Sequence, residues 1–100
     1  MIKHIVMWNV RGETDVERQR AAQTIKTSFE GLKGQVPGLI EIEVGIDQSH
    51  VDYACDVVLY TVFSSPEDLR GYASHPAHLA VREALGDMRI ARYQVDYSIV

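Results

Sequence analysis

The sequence has little cysteine and no long apolar run. One cysteine, Cys55, is present among 100 residues, which excludes an intrachain disulfide framework and a multi-cysteine metal site. Cys55 lies in an apolar segment, so we expect a small buried side chain rather than a reactive thiol. No apolar run approaches the roughly 20 residues that span a bilayer. The first nine residues have too short an apolar core for a secretory signal, so we expect a cytoplasmic protein.

Positive charge is also scarce. The chain has 10 Lys and Arg against 14 Asp and Glu, a net charge of −4. Nucleic acids and anionic membranes are bound mainly through basic side chains, so we predict neither as a partner. The hydrophobic content of 46% and charged content of 24% are typical of a globular chain. A length of 100 residues suits one hydrophobic core, and we expect a single domain over residues 1–100.

Alternating apolar residues predict four strands, over residues 2–10, 39–46, 54–63 and 88–99. The first strand is apolar in both alternating sets, which predicts that both of its faces are covered. The last strand places one apolar set on a single face, namely Ala91, Tyr93, Val95, Tyr97 and Ile99.

Helix signals separate these strands. Thr14 and Glu17 form a capping box at the start of the first helix. Its apolar stripe, at helical spacing, comprises Ala22, Ile25, Phe29 and Leu32. Ser65 is the predicted N-cap of the second helix. Pro76 breaks that helix, and a short helix over residues 77–85 follows.

The resulting order, β-α-β-β-α-β with a divided second helix, is that of a ferredoxin-like α+β fold with an antiparallel sheet. The strand over residues 39–46 alternates Ile40, Ile42, Val44 and Ile46 with Glu41 and Glu43. We expect these isoleucine and valine side chains, or their neighbours across the sheet, to leave an apolar face that a monomer would expose. A two-fold homodimer that packs sheet against sheet covers such a face.

Groups able to transfer protons are concentrated in residues 72–78. Tyr72 precedes the break at Pro76 and His78 follows it, so a phenol and an imidazole can converge on one pocket. Imidazole exchanges protons near neutral pH, and a phenol can stabilise a developing oxyanion. His4, on the first strand, can project toward the same space.

A structural role accounts for the same residues. A histidine before proline often caps the following helix, as His75 would, and a tyrosine on an apolar helix face is often part of the core. The sequence leaves both interpretations open. His75 and His78 share a helix face, but no third ligand is near them in sequence, so we predict no metal site.

The chain resembles the stress-responsive A/B barrel (Dabb) family over essentially its whole length. The segments that carry the resemblance are Lys3–Val6, Val36–Leu39, Phe63–Tyr72 and His75–His78. The family implies a dimeric α+β barrel of ferredoxin-like protomers. Its characterised enzymes include plant polyketide cyclases such as olivetolic acid cyclase, which need no cofactor for an intramolecular aldol condensation.

The resemblance also implies roles for particular residues. Tyr72 and His78 match the catalytic pair of those cyclases, and His4 and His75 match residues that line the cavity. A third-strand histidine of the cyclases is matched by Val57, which implies a less polar substrate-binding pocket here.

Three hypotheses follow. The first is a homodimer whose cavity binds a small carbonyl compound, as a cofactor-free cyclase or lyase with Tyr72 and His78 as the acid–base pair. The second is a stress-response or structural dimer without catalysis. The third is a cofactor-free monooxygenase of the antibiotic-biosynthesis type, which shares the dimeric barrel.

Overall fold

The computed structural model describes residues 1–99 and has the predicted order of strands and helices. The strands are β1 (Ile2–Val10), β2 (Leu39–Ile46), β3 (Val57–Phe63) and β4 (Arg89–Ser98). The helices are α1 (Asp15–Glu30), α2 (Pro66–Ser74) and α3 (Pro76–Leu85). No helix within residues 1–99 combines the length and the apolar character needed to cross a bilayer. Cys55 is half-buried. It lies in the loop before β3, since that strand begins at Val57 rather than at residue 54.

The four strands form one antiparallel sheet in the order β2-β3-β1-β4. This is the ferredoxin-like arrangement that the order of elements predicted. The helices cover one face of the sheet. The core between the layers includes Val6 and Trp8 of β1, Phe29 of α1 and Leu59 of β3.

The predicted caps hold the helices at their starts. The Thr14 hydroxyl accepts a hydrogen bond from the Glu17 N–H at 3.1 Å. The Glu17 carboxylate accepts from the Glu13 N–H at 2.7 Å, one residue before the donor that a capping box uses. The Ser65 hydroxyl accepts from the Asp68 N–H at 3.1 Å at the start of α2. All four residues of the predicted α1 stripe are buried, namely Ala22, Ile25, Phe29 and Leu32.

Side chains of α1 protect the outer edge of the sheet at β2. The Lys26 ammonium donates to the Val44 carbonyl at 2.6 Å, and the Val44 N–H donates to the Glu30 carboxylate at 3.1 Å. Lys26 and Glu30 also pair with each other at 2.8 Å. The hydrogen bond from Lys26, followed by that from the Val44 N–H, lowers the pKa of Glu30. An edge strand with these groups satisfied is less open to pairing with another chain.

The uncovered apolar face of the sheet is formed by neighbours of β2 across the sheet rather than by β2 itself. Ile42 and Val44 face the helices, and a register shift between Leu39 and Glu41 leaves Ile40 55% exposed. The apolar residues without a cover come instead from β1 and β4. We call them the open face, and the most exposed of them are Met7, Tyr93, Val95 and Tyr97. The second face of β1, which the sequence predicts to be covered, is therefore uncovered in a single protomer.

Candidate active site

A cavity of about 460 Å³ lies between the sheet and the helices. Its apolar wall is formed by Val6, Trp8, Phe29, Leu59 and Leu69. Its polar wall is formed by His4, Tyr72, His78, Gln94, Asp96 and four arginines, Arg70, Arg82, Arg89 and Arg92. A cavity in which polar groups converge opposite an apolar wall is typical of a small-molecule site.

The break between α2 and α3 brings Tyr72 and His78 together. Proline disfavours helical backbone in the preceding residue, and His75 is extended with φ −66° and ψ 135°. The chain changes direction there, so the last turn of α2 and the first turn of α3 both face the cavity. The rings of Tyr72 and His78 stack with 4.1 Å between centroids and 29° between planes.

The Tyr72 hydroxyl is buried and has no hydrogen-bond partner within residues 1–99. The side chain is packed against Phe63, with 5.0 Å between ring centroids, and the residue is 3% exposed. Burial raises the pKa of Tyr72 to about 12, and the charges of Arg89 and Arg92 oppose that rise. The phenol therefore keeps its proton at neutral pH, and its O–H is a hydrogen-bond donor that no acceptor among residues 1–99 satisfies.

His78 is held as a base. Its Nδ1 lies 3.3 Å from the Ala73 carbonyl, which can only accept, so this bond requires the proton on Nδ1 and leaves the Nε2 lone pair free. Burial lowers the pKa of His78, although the bond to Ala73 acts in the opposite direction. A neutral imidazole with a free Nε2 can remove a proton from a substrate.

His4 lines the same cavity from β1. Its Nδ1 is 2.5 Å from an oxygen of Asp96, the residue opposite it on β4. The Thr61 hydroxyl donates to the His4 carbonyl at 2.7 Å and fixes the backbone at this point. The centroids of the His4 and Tyr72 rings are 6.1 Å apart. A carboxylate on Nδ1 orients an imidazole so that Nε2 faces away from that carboxylate.

Two sequence-predicted site residues lie elsewhere. His75 is not among the cavity residues: its Nδ1 accepts from the Ala77 N–H at 3.1 Å, and the side chain caps α3. Val57 is buried beside Trp8 in the sheet, and Leu59, two residues further along β3, forms the wall. The expected loss of polarity at Val57 does not extend to the cavity, because it contains four arginines. Tyr72, His78 and His4 do meet in one place.

The sequence interpretation missed the contribution of β4. Arg92, Gln94 and Asp96 face the cavity and alternate with the apolar residues of the open face. The Arg92 guanidinium donates to the Gln94 amide oxygen at 3.2 Å, and the Gln94 amide nitrogen donates to Asp96 at 3.0 Å. Polar residues at every second position of a strand, on the side that the helices cover, indicate a cavity there, and this pattern in β4 could have revealed it. No three His, Cys, Asp or Glu side chains of residues 1–99 stand together as ligands for a metal ion.

The structure defines a ferredoxin-like α+β protein with a cavity between its sheet and its helices. The sequence profile of the stress responsive A/B barrel domain (Dabb) matches residues 2–99, and the chain belongs to that family. No curated protein matches the chain in sequence.

Solved structures with the same fold have differing descriptions. A dimeric Bacteroides fragilis protein of unknown function with a ferredoxin-like fold is 29% identical, with 98% of this chain and 95% of that chain covered and a TM-score of 0.85. Hydroxynitrile lyase from Passiflora edulis is 16% identical, with 99% and 93% covered and a TM-score of 0.79. A protein from Nitrosomonas europaea that has been assigned as an antibiotic biosynthesis monooxygenase is 18% identical, with 100% of this chain and 99% of that chain covered and a TM-score of 0.67. The last two likenesses show the fold alone.

Proposed function

We propose that this protein is a cofactor-free cyclase or lyase that makes or breaks a carbon–carbon bond next to a carbonyl group. One observation carries the proposal: the Tyr72 ring stacks on His78 at the cavity, and its buried hydroxyl has no hydrogen-bond partner in the part of the chain that the structure describes. Leaving a buried hydroxyl unsatisfied costs about 1–3 kcal/mol. A carbonyl oxygen of a ligand is the acceptor that would satisfy it.

The chemistry assigns one role to each group. In the condensing direction, Nε2 of His78 takes a proton from the carbon next to the carbonyl. The electron pair moves to the carbonyl oxygen, where the Tyr72 O–H stabilises the oxyanion. The enolate carbon then forms a bond to a second carbonyl carbon, and the new alkoxide takes a proton from the His78 imidazolium. Every proton and electron pair is accounted for, and the reverse sequence is a lyase reaction.

His4 and Asp96 support this pair. The Asp96 carboxylate fixes the orientation of the His4 imidazole at 2.5 Å. When Nδ1 donates to Asp96, Nε2 of His4 carries no proton and can accept a hydrogen bond from a hydroxyl group of the substrate. The Passiflora edulis protein of the same fold is a hydroxynitrile lyase, which agrees with lyase chemistry on this scaffold.

The homodimer is part of the same proposal. The open face places large apolar side chains on one side of the sheet, and similar solved structures are described as dimeric. Packing the open faces of two copies would cover this surface and leave the cavity, on the opposite side of the sheet, accessible in each protomer.

Deuterium uptake from D₂O at the carbon next to the carbonyl of small aryl ketones, followed by NMR, tests the base chemistry. Release of carbonyl product from β-hydroxyketones tests bond cleavage. We expect Tyr72→Phe and His78→Asn each to lower these rates by about 100-fold or more. The exposed Tyr53→Phe and His50→Asn are matched controls and should leave the rates unchanged.

Full activity in both cavity variants would contradict the proposal. Absence of exchange, cleavage and binding across the panel would also contradict it. That second result would favour the alternative in which the dimer has a structural role without catalysis.

A further inference from the structure

The end of the cavity where α3 meets β4 is basic. Arg82 of α3 and Arg89 and Arg92 of β4 line it together. None of the three has a carboxylate within ion-pair distance among residues 1–99, although the chain as a whole carries a net charge of −4. Arg70, which lines the cavity from α2, is paired with Glu67 at 3.3 Å. Three unpaired guanidinium groups are therefore concentrated at one cavity in an acidic protein.

A β-bulge creates this arrangement. In a regular strand Arg89 and Arg92 would lie on opposite faces, because their spacing is odd. The register between β1 and β4 shifts at Asn9 and Val10: Ala91 pairs with Asn9, Arg89 pairs with Val10, and Ile90 is the extra residue. The bulge turns Arg89 to the cavity side, and Ile90 is 53% exposed. Bulges that redirect a side chain in this way are common next to functional sites.

Arg89 is held in place by the aromatic wall. Its guanidinium carbon is 4.9 Å from the centroid of the Trp8 ring and 5.6 Å from that of the Phe29 ring. Burial, followed by the charges of Arg92 and Arg82, lowers the pKa of Arg89. Both causes disfavour the positive charge, and a bound anion would relieve the repulsion among the three arginines.

The basic end and the proton-transfer end are separate. On β4, Arg92 lies opposite Trp8 and Asp96 lies opposite His4, four residues further along. Tyr72, the proposed carbonyl contact, is nearer to the basic end, since the charges of Arg89 and Arg92 act on its pKa. At about 3.3 Å per residue the backbones of Arg92 and Asp96 are roughly 13 Å apart. Gln94 lies between them and hydrogen-bonds to both. A ligand with an anionic group at one end and a carbonyl at the other would match this order.

We propose that the ligand is an oxo acid whose carboxylate binds Arg89 and Arg92 while its carbonyl oxygen accepts from Tyr72. This inference rests on the proposed function for the carbonyl end, whereas the carboxylate end rests on the arginines alone. Guanidinium groups bind carboxylates through charge-assisted, often bidentate hydrogen bonds. No glycine lines the cavity, so the close backbone approach typical of phosphate loops is missing within residues 1–99.

The test compares 4-oxo-4-phenylbutanoate with its amide, 4-oxo-4-phenylbutanamide, which has nearly the same shape without the charge. Dissociation constants are measured by calorimetry for the wild type, Arg89→Gln, Arg92→Gln and the control Arg20→Gln on α1. We expect the acid to bind the wild type about tenfold or more tightly than the amide. Each cavity variant should remove most of this preference by weakening the acid alone, and Arg20→Gln should keep it. Arg92 is exposed, so its variant remains informative if Arg89→Gln folds poorly.

Equal affinity for acid and amide in the wild type would overturn the carboxylate site, as would failure of the acid to bind at millimolar concentration. Persistence of the preference in the double variant Arg89→Gln/Arg92→Gln would overturn the assigned residues. Tighter binding of phenacyl phosphate than of the acid would overturn the choice of carboxylate over phosphate.

Tyr72→Phe separates the two proposals: it should weaken the binding of acid and amide equally if the carbonyl contact exists. An acid preference without any effect of Tyr72→Phe would leave the carboxylate site standing and remove the carbonyl contact.

Discussion

The imidazole of His78 stacks on the phenol of Tyr72, and the hydroxyl at the end of that phenol has no hydrogen-bond partner within residues 1–99. The two residues lie on different helices and meet because Pro76 divides what would otherwise be one helix. The stack therefore depends on the backbone break, and the unsatisfied hydroxyl has no structural purpose of its own. A group kept at a cost to stability is characteristic of a functional site.

Removing that hydroxyl should stabilise the protein. Tyr72→Phe keeps the ring packing against Phe63 and eliminates a buried polar atom that has no hydrogen-bond partner among the described residues. We expect a gain of about 1 kcal/mol in the free energy of unfolding, which raises the melting temperature by roughly 4–8 °C in a domain of this size. Thermal unfolding at matched protein concentration measures the change, because melting of a dimer depends on concentration.

Tyr53→Phe is the control for this prediction, since Tyr53 is 90% exposed and its hydroxyl is hydrated. That variant should melt with the wild type. A lower melting temperature for Tyr72→Phe would mean that the hydroxyl has a stabilising partner in solution, and the functional interpretation of Tyr72 would lose its main support.

The stability of the protein should fall as the pH drops below the ordinary pKa of histidine. Burial lowers the pKa of His78 below 6.5, so in the window just below that value the unfolded chain binds more protons at this position than the folded chain. Stability then rises with pH through the window and is complete above about pH 6.5. The difference in unfolding free energy between the wild type and His78→Asn should therefore be larger at about pH 7.5 than at about pH 5.

Urea unfolding at the two pH values measures this difference. His50→Asn removes an exposed imidazole and is the control. His50 has a positive φ of 54°, a conformation that asparagine tolerates well, so the substitution introduces no backbone strain. The same pH dependence in the wild type and in His78→Asn would show that His78 is not the group responsible.

The sequence predicted the order of elements, the caps and the buried stripe of α1, because these depend on local chemistry and on periodicity. It also predicted that Tyr72, His78 and His4 share one space. Arg89 could not be placed, because the bulge at Ile90 changes its face and depends on pairing between β1 and β4. The partnership of His4 with Asp96 depends on the same register, across 92 residues of sequence.

The strands that form the open face cannot be identified from sequence for a related reason. Alternation shows that two faces exist but does not show which of them the helices cover. The alternating set Ile42 and Val44 packs toward the helices, whereas Tyr93 and Val95 face away from them. The sequence therefore predicts an uncovered apolar face but not which strands form it, and the surface itself can be tested by mutation.

A charge in the open face should separate the proposed dimer. Val95 lies near the middle of β4, opposite Ile5, and is 52% exposed in the protomer. In Val95→Lys an ammonium group would be buried against the apolar face of a second copy, and two such groups would approach each other across the two-fold axis. Sedimentation equilibrium should give twice 11.3 kDa for the wild type and 11.3 kDa for the variant.

Leu79→Lys, at an α3 residue that is 44% exposed, is the matched control and should remain a dimer. A Val95→Lys protein that also remains dimeric would place the interface on another surface, and the exposed tyrosines of β4 would then need a different partner.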